Sequence, residues 1–132
     1  MIVADTSVWI DFLRGTNSPE HHTLRRLIEQ DEDISITEII LTEILQGIRE
    51  DGDFQMVKEL LLAFPIQKPQ GTDTYLRAAQ VYRDCRKRGK TPRKTVDCLI
   101  AAICLENDLV LLHKDNDFDI IEVCTGLKVL RA

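Results

Sequence analysis

The sequence predicts an α/β protein: a single domain spanning residues 1–132, in three α/β/α layers, with a mostly parallel sheet between helices. Three observations lead there. Two short apolar runs of strand length, Ile2 to Ala4 and Leu109 to Leu112, each stop at a polar loop carrying acids, and helical periodicity follows. Strand-length and helix-length segments alternate along the chain, as βα units feeding a parallel sheet do. Val96 to Leu105 is apolar on nearly every side, hence a helix packed within the domain.

In chain order, the run Ile2–Ala4 ends at Asp5, Thr6 and Ser7 add hydroxyls, and Val8, Trp9, Phe12 and Leu13 recur at helical spacing. Asp5 therefore stands at a strand's carboxyl end, the edge where open α/β sheets bind ligands. Asp5 or Ser7 could also simply cap the helix. Gly15 to Pro19 is a turn with Ser18 as N-cap and Pro19 at the first helical position, and a helix follows to about Gln30. His21 and His22 lie in its first turn without a spaced carboxylate or Cys, so both read as surface histidines.

Ile34–Ile36 is a second strand, followed by a helix from about Thr37 to Ile48. Glu43 falls on the arc of that helix that should be buried, so it is paired, protonated or bound to a metal. Asp51-Gly52-Asp53 reads as a turn, Phe54 to Ala63 as a helix, and Phe64-Pro65-Ile66 as an edge strand, since Pro cannot serve a central ladder. A long helix from Thr72 to Arg88 carries Leu76, Ala79 and Tyr82 or Arg83 on successive turns. Its end is strongly basic: Arg83, Arg86, Lys87, Arg88, Lys90, Arg93 and Lys94. That cluster suits a helix carboxyl terminus, and equally a rim that tracks phosphates, with Arg86, Arg88 and Arg93 as the phosphate contacts. No aromatic residues interleave with it, so stacking is not signalled.

Thr91-Pro92 or Thr95 opens the apolar helix that contains Asp97. Asp97 shares a face with Ala101 and Cys104; the helix dipole favours an acid there, as does a functional role. Leu109–Leu112 is the clearest buried strand, and His113 to Asp119 repeats the opening pattern of strand, acidic loop and helix, with Asp115 or Asn116 as a possible cap. Lys128 to Leu130 closes the chain as an edge strand.

The chain has 44% hydrophobic and 30% charged residues, and a net charge of −5, which argues against coating nucleic acid by bulk electrostatics. It has no apolar run long enough for a membrane span and no basic leader, so a cytoplasmic protein is expected. Its four cysteines lack a Cys-x-x-Cys pair, which disfavours zinc and disulfides. Asp5 and Asp115 are expected at one rim of the sheet, within reach of Glu43 and Asp97. Several carboxylates without His or Cys suit hard cations, Mg²⁺ or Mn²⁺, and the matching chemistry is phosphodiester hydrolysis.

Four stretches, Asp5-Thr-Ser-Val-Trp-Ile-Asp11, Thr42-Glu43-Ile-Leu-Gln-Gly47, Thr95-Val-Asp97-Cys-Leu-Ile-Ala-Ala102 and Asp115-Asn-Asp117-Phe118, together resemble the PIN-domain nucleases. Within them the chain is similar along its whole length to the VapC-type toxins of bacterial VapBC toxin-antitoxin pairs. The resemblance implies that Asp5, Glu43, Asp97 and Asp115 form an acidic metal site, with Thr6 or Ser7 as its supporting hydroxyl. Asp117 shares or replaces the role of Asp115, and His113 stands where the family usually has Thr. It also implies Mg²⁺ or Mn²⁺, cleavage of structured RNA such as tRNA or ribosomal RNA, a homodimer, and inhibition by a VapB antitoxin. The antitoxin would dock on apolar helix surface, for which Trp9, Phe12, Leu13, Phe54 and Met56 are candidates if they are not core. Two other classes remain for comparison: a receiver-type phosphoacceptor, whose acidic pair after the first strand is missing here, and a PIN-like domain that binds RNA or protein without turnover.

Overall fold

The computed structural model describes all 132 residues. Three short strands alternate with helices in the first half: β1 (Ile2–Ala4), α1 (Thr6–Arg14), α2 (Pro19–Glu29), β2 (Ile34–Thr37), α3 (Glu38–Gln46), α4 (Asp51–Leu62) and β3 (Ile66–Gln67). The second half holds α5 (Thr72–Lys87), α6 (Thr95–Glu106), β4 (Val110–Leu112) and α7 (Asn116–Thr125). The sheet is parallel throughout, in the order β3-β2-β1-β4, and helices cover it in a three-layer α/β/α arrangement.

That order places the edge that carries Asp5. From β1 the chain moves through β2 to β3 on one side, then returns to lay β4 against the other side of β1. The connections after β1 and β4 thus part in opposite directions and leave a crevice between the carboxyl ends of these strands. Ala4 is in register with Leu112, and the Asp5 amide donates to the Leu112 carbonyl at 2.9 Å, so Asp5 and the loop after β4 begin side by side.

The core lies on both faces of the sheet. Trp9 is fully buried, packed edge-on against Phe12 and Phe64, and is core and not partner surface. Cys85, Cys98 and Cys104 are buried free thiols acting as small apolar residues. Helix α6 is buried along nearly its whole length, as its composition predicts. No helix is long and apolar enough to cross a membrane.

Several local expectations change. Asp51-Gly52-Asp53 is the first turn of α4 and not a separate turn, because acids at a helix N-terminus are favoured by the dipole despite the glycine. Helix α5 buries Thr74, Ala78, Val81 and Cys85, while Leu76 is 63% exposed, so the face read from its larger side chains is the outer one. Lys94 occupies the N-cap position of α6 without a side-chain cap, so neither Thr91 nor Thr95 caps it. The closing segment makes one parallel bridge, Leu111 with Val129, in place of a full strand. His21 is buried: its Nδ1–H donates to the Thr16 carbonyl at 2.6 Å, and its Nε2 accepts from Arg25 at 3.1 Å. His22 is exposed, as expected. Ser18 caps α2 with Pro19 behind it, also as expected.

Candidate active site

Asp5 sits at the N-cap position of α1 but makes no side-chain capping bond, so the simple cap reading of this residue fails. Its carboxylate is nearly buried and accepts from the Ser7 hydroxyl at 3.2 Å. Burial raises its pKa to about 6, against the pull of nearby N–H groups and the Ser7 hydroxyl. Asp97, in the first turn of α6, is equally buried, at 6% exposure, and its Oδ2 has no hydrogen-bond partner. Burial first, then the Asp5 charge, and then Asp115 raise Asp97 to about 7. The two acids, 92 positions apart in sequence, therefore share one electrostatic environment.

Beside them is the N-terminus of α7. One oxygen each of Asp97, Asp115 and Asp117 lie within 4.8 Å of one another, a set that could hold a metal ion. Asp115 caps α7, its Oδ1 accepting from the Asp117 amide at 2.9 Å, so here the cap and the cluster are the same residue. The Asp115 amide in turn donates to His113 Nδ1 at 3.1 Å. Burial holds His113 below its ordinary pKa, and a ring nitrogen that accepts this bond marks a neutral imidazole. Asp117 is buried, and its Oδ2 accepts from both the backbone N–H and the Nε of Arg93, each at 3.2 Å. The Arg93 Nη2 lies 3.6 Å from Asp115. Of Arg86, Arg88 and Arg93, Arg93 alone reaches the acids; Arg86 lies over the Tyr82 ring instead.

Glu43 is half-buried on α3, where its Oε1 accepts from the Thr6 hydroxyl at 2.7 Å. Its charge also contributes to the raised pKa of Asp5, so it borders the cluster from the β2 side. Both hydroxyls bond to acids, Thr6 to Glu43 and Ser7 to Asp5. Beyond Glu43, Ile10, Leu13, Ile44, Gly47, Met56 and Leu60 help to line an open groove of about 680 Å³ between α1, α3 and α4.

The PIN domain family matches residues 2–123 of this chain. The chain is 35% identical over 129 residues to a VapC ribonuclease of Mycobacterium bovis and to ribonuclease VapC11 of Mycobacterium tuberculosis, covering 97% of this chain and 96% of each relative. It belongs to the PIN domain family, among the VapC ribonucleases. VapBC-1 from nontypeable Haemophilus influenzae shares the fold, with a TM-score of 0.76 at 19% identity over 98% of this chain and 97% of that one.

As a PIN domain, the chain has its acids where β1, α3, α6 and the β4–α7 loop meet, which leaves the receiver-type reading without a basis. One acid escapes a reading of the sequence. Asp11, on α1 of this PIN domain, is buried, yet its Oδ2 accepts from Lys114 Nζ at 2.6 Å and from the Ser18 hydroxyl at 2.8 Å. Burial pushes its pKa up, but these two bonds outweigh it and hold Asp11 below the usual carboxylate range. The helical spacing of α1 carries a hint, since Asp11 interrupts an otherwise apolar stretch.

Proposed function

We propose that this chain is a divalent-metal-dependent endoribonuclease, the toxin of a VapBC-type pair, acting in the cytoplasm on phosphodiester bonds of structured RNA. The observation that carries the reading is the Asp5–Asp97 pair: two nearly buried carboxylates without an ion-paired cation, one with an oxygen wholly unpaired, at the sheet's switch point. Burying a charge without compensation is costly, so such a pair needs something from outside the chain. An all-oxygen donor set without His or Cys fits a hard cation, Mg²⁺ or Mn²⁺. Asp5, Asp97 and Asp115 would hold it, with Glu43 bordering and Asp117 shared with Arg93.

When bound, the cation supplies Lewis-acid polarisation of the phosphodiester and a nucleophile at neutral pH. The chain's own part is positioning. The Thr6 hydroxyl fixes Glu43, Ser7 fixes Asp5, and the cap of α7 fixes Asp115. Arg93, 73% exposed at its side chain, can offer its guanidinium to an incoming phosphate. Asp5 and Asp97 hold protons up to about pH 6 and 7 and must release them when they become ligands.

The groove beside Glu43 is our proposed seat for a VapB antitoxin segment. Its lining is mainly apolar, Met56 is 70% exposed within it, and it leads to the acids. The outer face of α5, with Tyr75 and Leu76 exposed, is the proposed face toward a second copy in a homodimer. Calorimetry with Mn²⁺ near pH 6.5, in buffers of different ionisation enthalpy, tests the site: binding with proton release is expected, alongside RNA cleavage that EDTA abolishes. Cleavage that persists in EDTA, or no Mn²⁺ binding, overturns the metal reading.

A further inference from the structure

Lys114 immediately precedes Asp115 and lies 103 positions along the chain from its partner Asp11. The β4–α7 loop is fixed at its start by the sheet, where the Asp5 amide meets the Leu112 carbonyl. It is fixed at its end by the α7 cap. Between these points each residue before Asp115 is tethered. His113 Nδ1 accepts the Asp115 amide, and Lys114 is drawn to α1 by a 2.6 Å bond to Asp11. Asp11 is not free to follow Lys114. It is buried, carried on α1, and held by Ser18, which also caps α2 by accepting from the His21 amide at 3.1 Å. The partner of Lys114 is thus anchored to two helices, and the flexible member of the pair is the lysine.

We propose that the Asp11–Lys114 ion pair is a positioning device for the acidic site, holding the β4–α7 loop so that Asp115 stays beside Asp97. The inference rests on the metal-site reading above. Neither residue touches the cluster; both act through the loop. A partner that orients a metal ligand typically matters 10- to 100-fold in metal affinity or activity. A brace serving stability alone would leave affinity unchanged well below the melting temperature.

Charge separates the two roles. Lys114→Met removes a positive charge near the acids, which by electrostatics alone would tighten cation binding; loss of positioning weakens it. The double variant Asp11→Asn/Lys114→Met leaves the net charge unchanged, so any change in affinity reports geometry. Mn²⁺ binding is measured by calorimetry on full-length protein, at a temperature where circular dichroism shows each variant folded. The expected result is weaker Mn²⁺ binding in both variants, by about 10-fold or more in the double variant, with Lys114→Arg restoring most of it. Wild-type binding with the double variant within about twofold of it, or tighter binding in Lys114→Met, overturns this inference and leaves the metal reading intact. Absence of Mn²⁺ binding in wild type overturns both.

Discussion

Helix α1 has a buried carboxylate near each end, and the two have opposite fates. Asp11 receives a lysine and a serine hydroxyl and is held below the usual carboxylate range; Asp5, with no cation bonded to it and Glu43 nearby, is raised by burial to about 6. Burial works against ionisation at both. What differs is whether the fold supplies the compensating charge. Where the chain brings its own cation, the acid serves the structure. Where it gathers more acids around an unpaired oxygen, the charge is left to be neutralised by a proton or by the cation proposed above.

The same substitution at either end of α1 should separate these cases most sharply. Asp5→Asn, or Asp97→Asn, is expected to lower RNA cleavage by about 100-fold or more by removing a proposed metal ligand. It should also stabilise the metal-free protein by about 1–3 kcal/mol at pH 8 by relieving a buried charge. Asp11→Asn should instead destabilise by about 1–3 kcal/mol, since it weakens two bonds to a charged group. Urea unfolding in EDTA reads both signs, and destabilisation by Asp97→Asn would erase the distinction.

Acid titration extends the contrast. The unfolded chain loses the Asp5 and Asp97 protons near 3.8, whereas the folded chain keeps them to about 6 and 7. The folded state binds more protons across that window, so stability from these groups is highest below it and is lost as pH rises through the folded values. Asp11 runs the other way: its contribution is present above 3.8 and is lost as pH falls below. In EDTA the melting temperature should therefore fall between pH 5 and 8 and also fall below about pH 4. Saturating Mn²⁺ should reverse the upper slope, because binding needs the ionised acids. A melting temperature flat from pH 5 to 8 in EDTA would remove the case for raised values.

Outside the two corners, smaller effects are expected. Met56→Glu in the groove should leave the melting temperature nearly unchanged, Met56 being 70% exposed, yet weaken a VapB segment by about 10-fold, or about 1.4 kcal/mol. Replacing Arg86, Arg88 and Arg93 by Gln should lower the log–log salt dependence of RNA binding by about 0.7 to 0.9 for each phosphate that is no longer neutralised. Because Arg93 is mostly exposed, its ion pairs should contribute under about 1 kcal/mol to stability.

The α/β alternation, the capped start of α2 and the acids at strand ends are readable in the sequence, because each is written in local spacing. Asp115 illustrates the limit: cap and site are alternatives when only the sequence is read, yet the residue caps α7 within the cluster. Leu76 and Ala79 of α5 lie on the exposed face, while the buried turns are Thr74, Ala78, Val81 and Cys85. His21 reads as a surface residue because its burial depends on Phe12 and Arg25 folding over it. No pattern of spacing joins Asp11 to Lys114; only the pairing of β1 with β4 brings them together.

That pairing also sets when the protein can become active. The central strand β1 precedes its neighbour β4 by more than a hundred residues, so of its two partners only β2 is close in sequence. Closing so long a loop is slow, and contacts of such separation delay folding. Asp97 and Asp115 lie in the last third of the chain, so an unfinished polypeptide holds Asp5 and Glu43 without their partners. The acids therefore cannot come together until β4 and the loop after it are present, and a chain cut short before Leu112 lacks both the closing strand and the loop that carries Asp115.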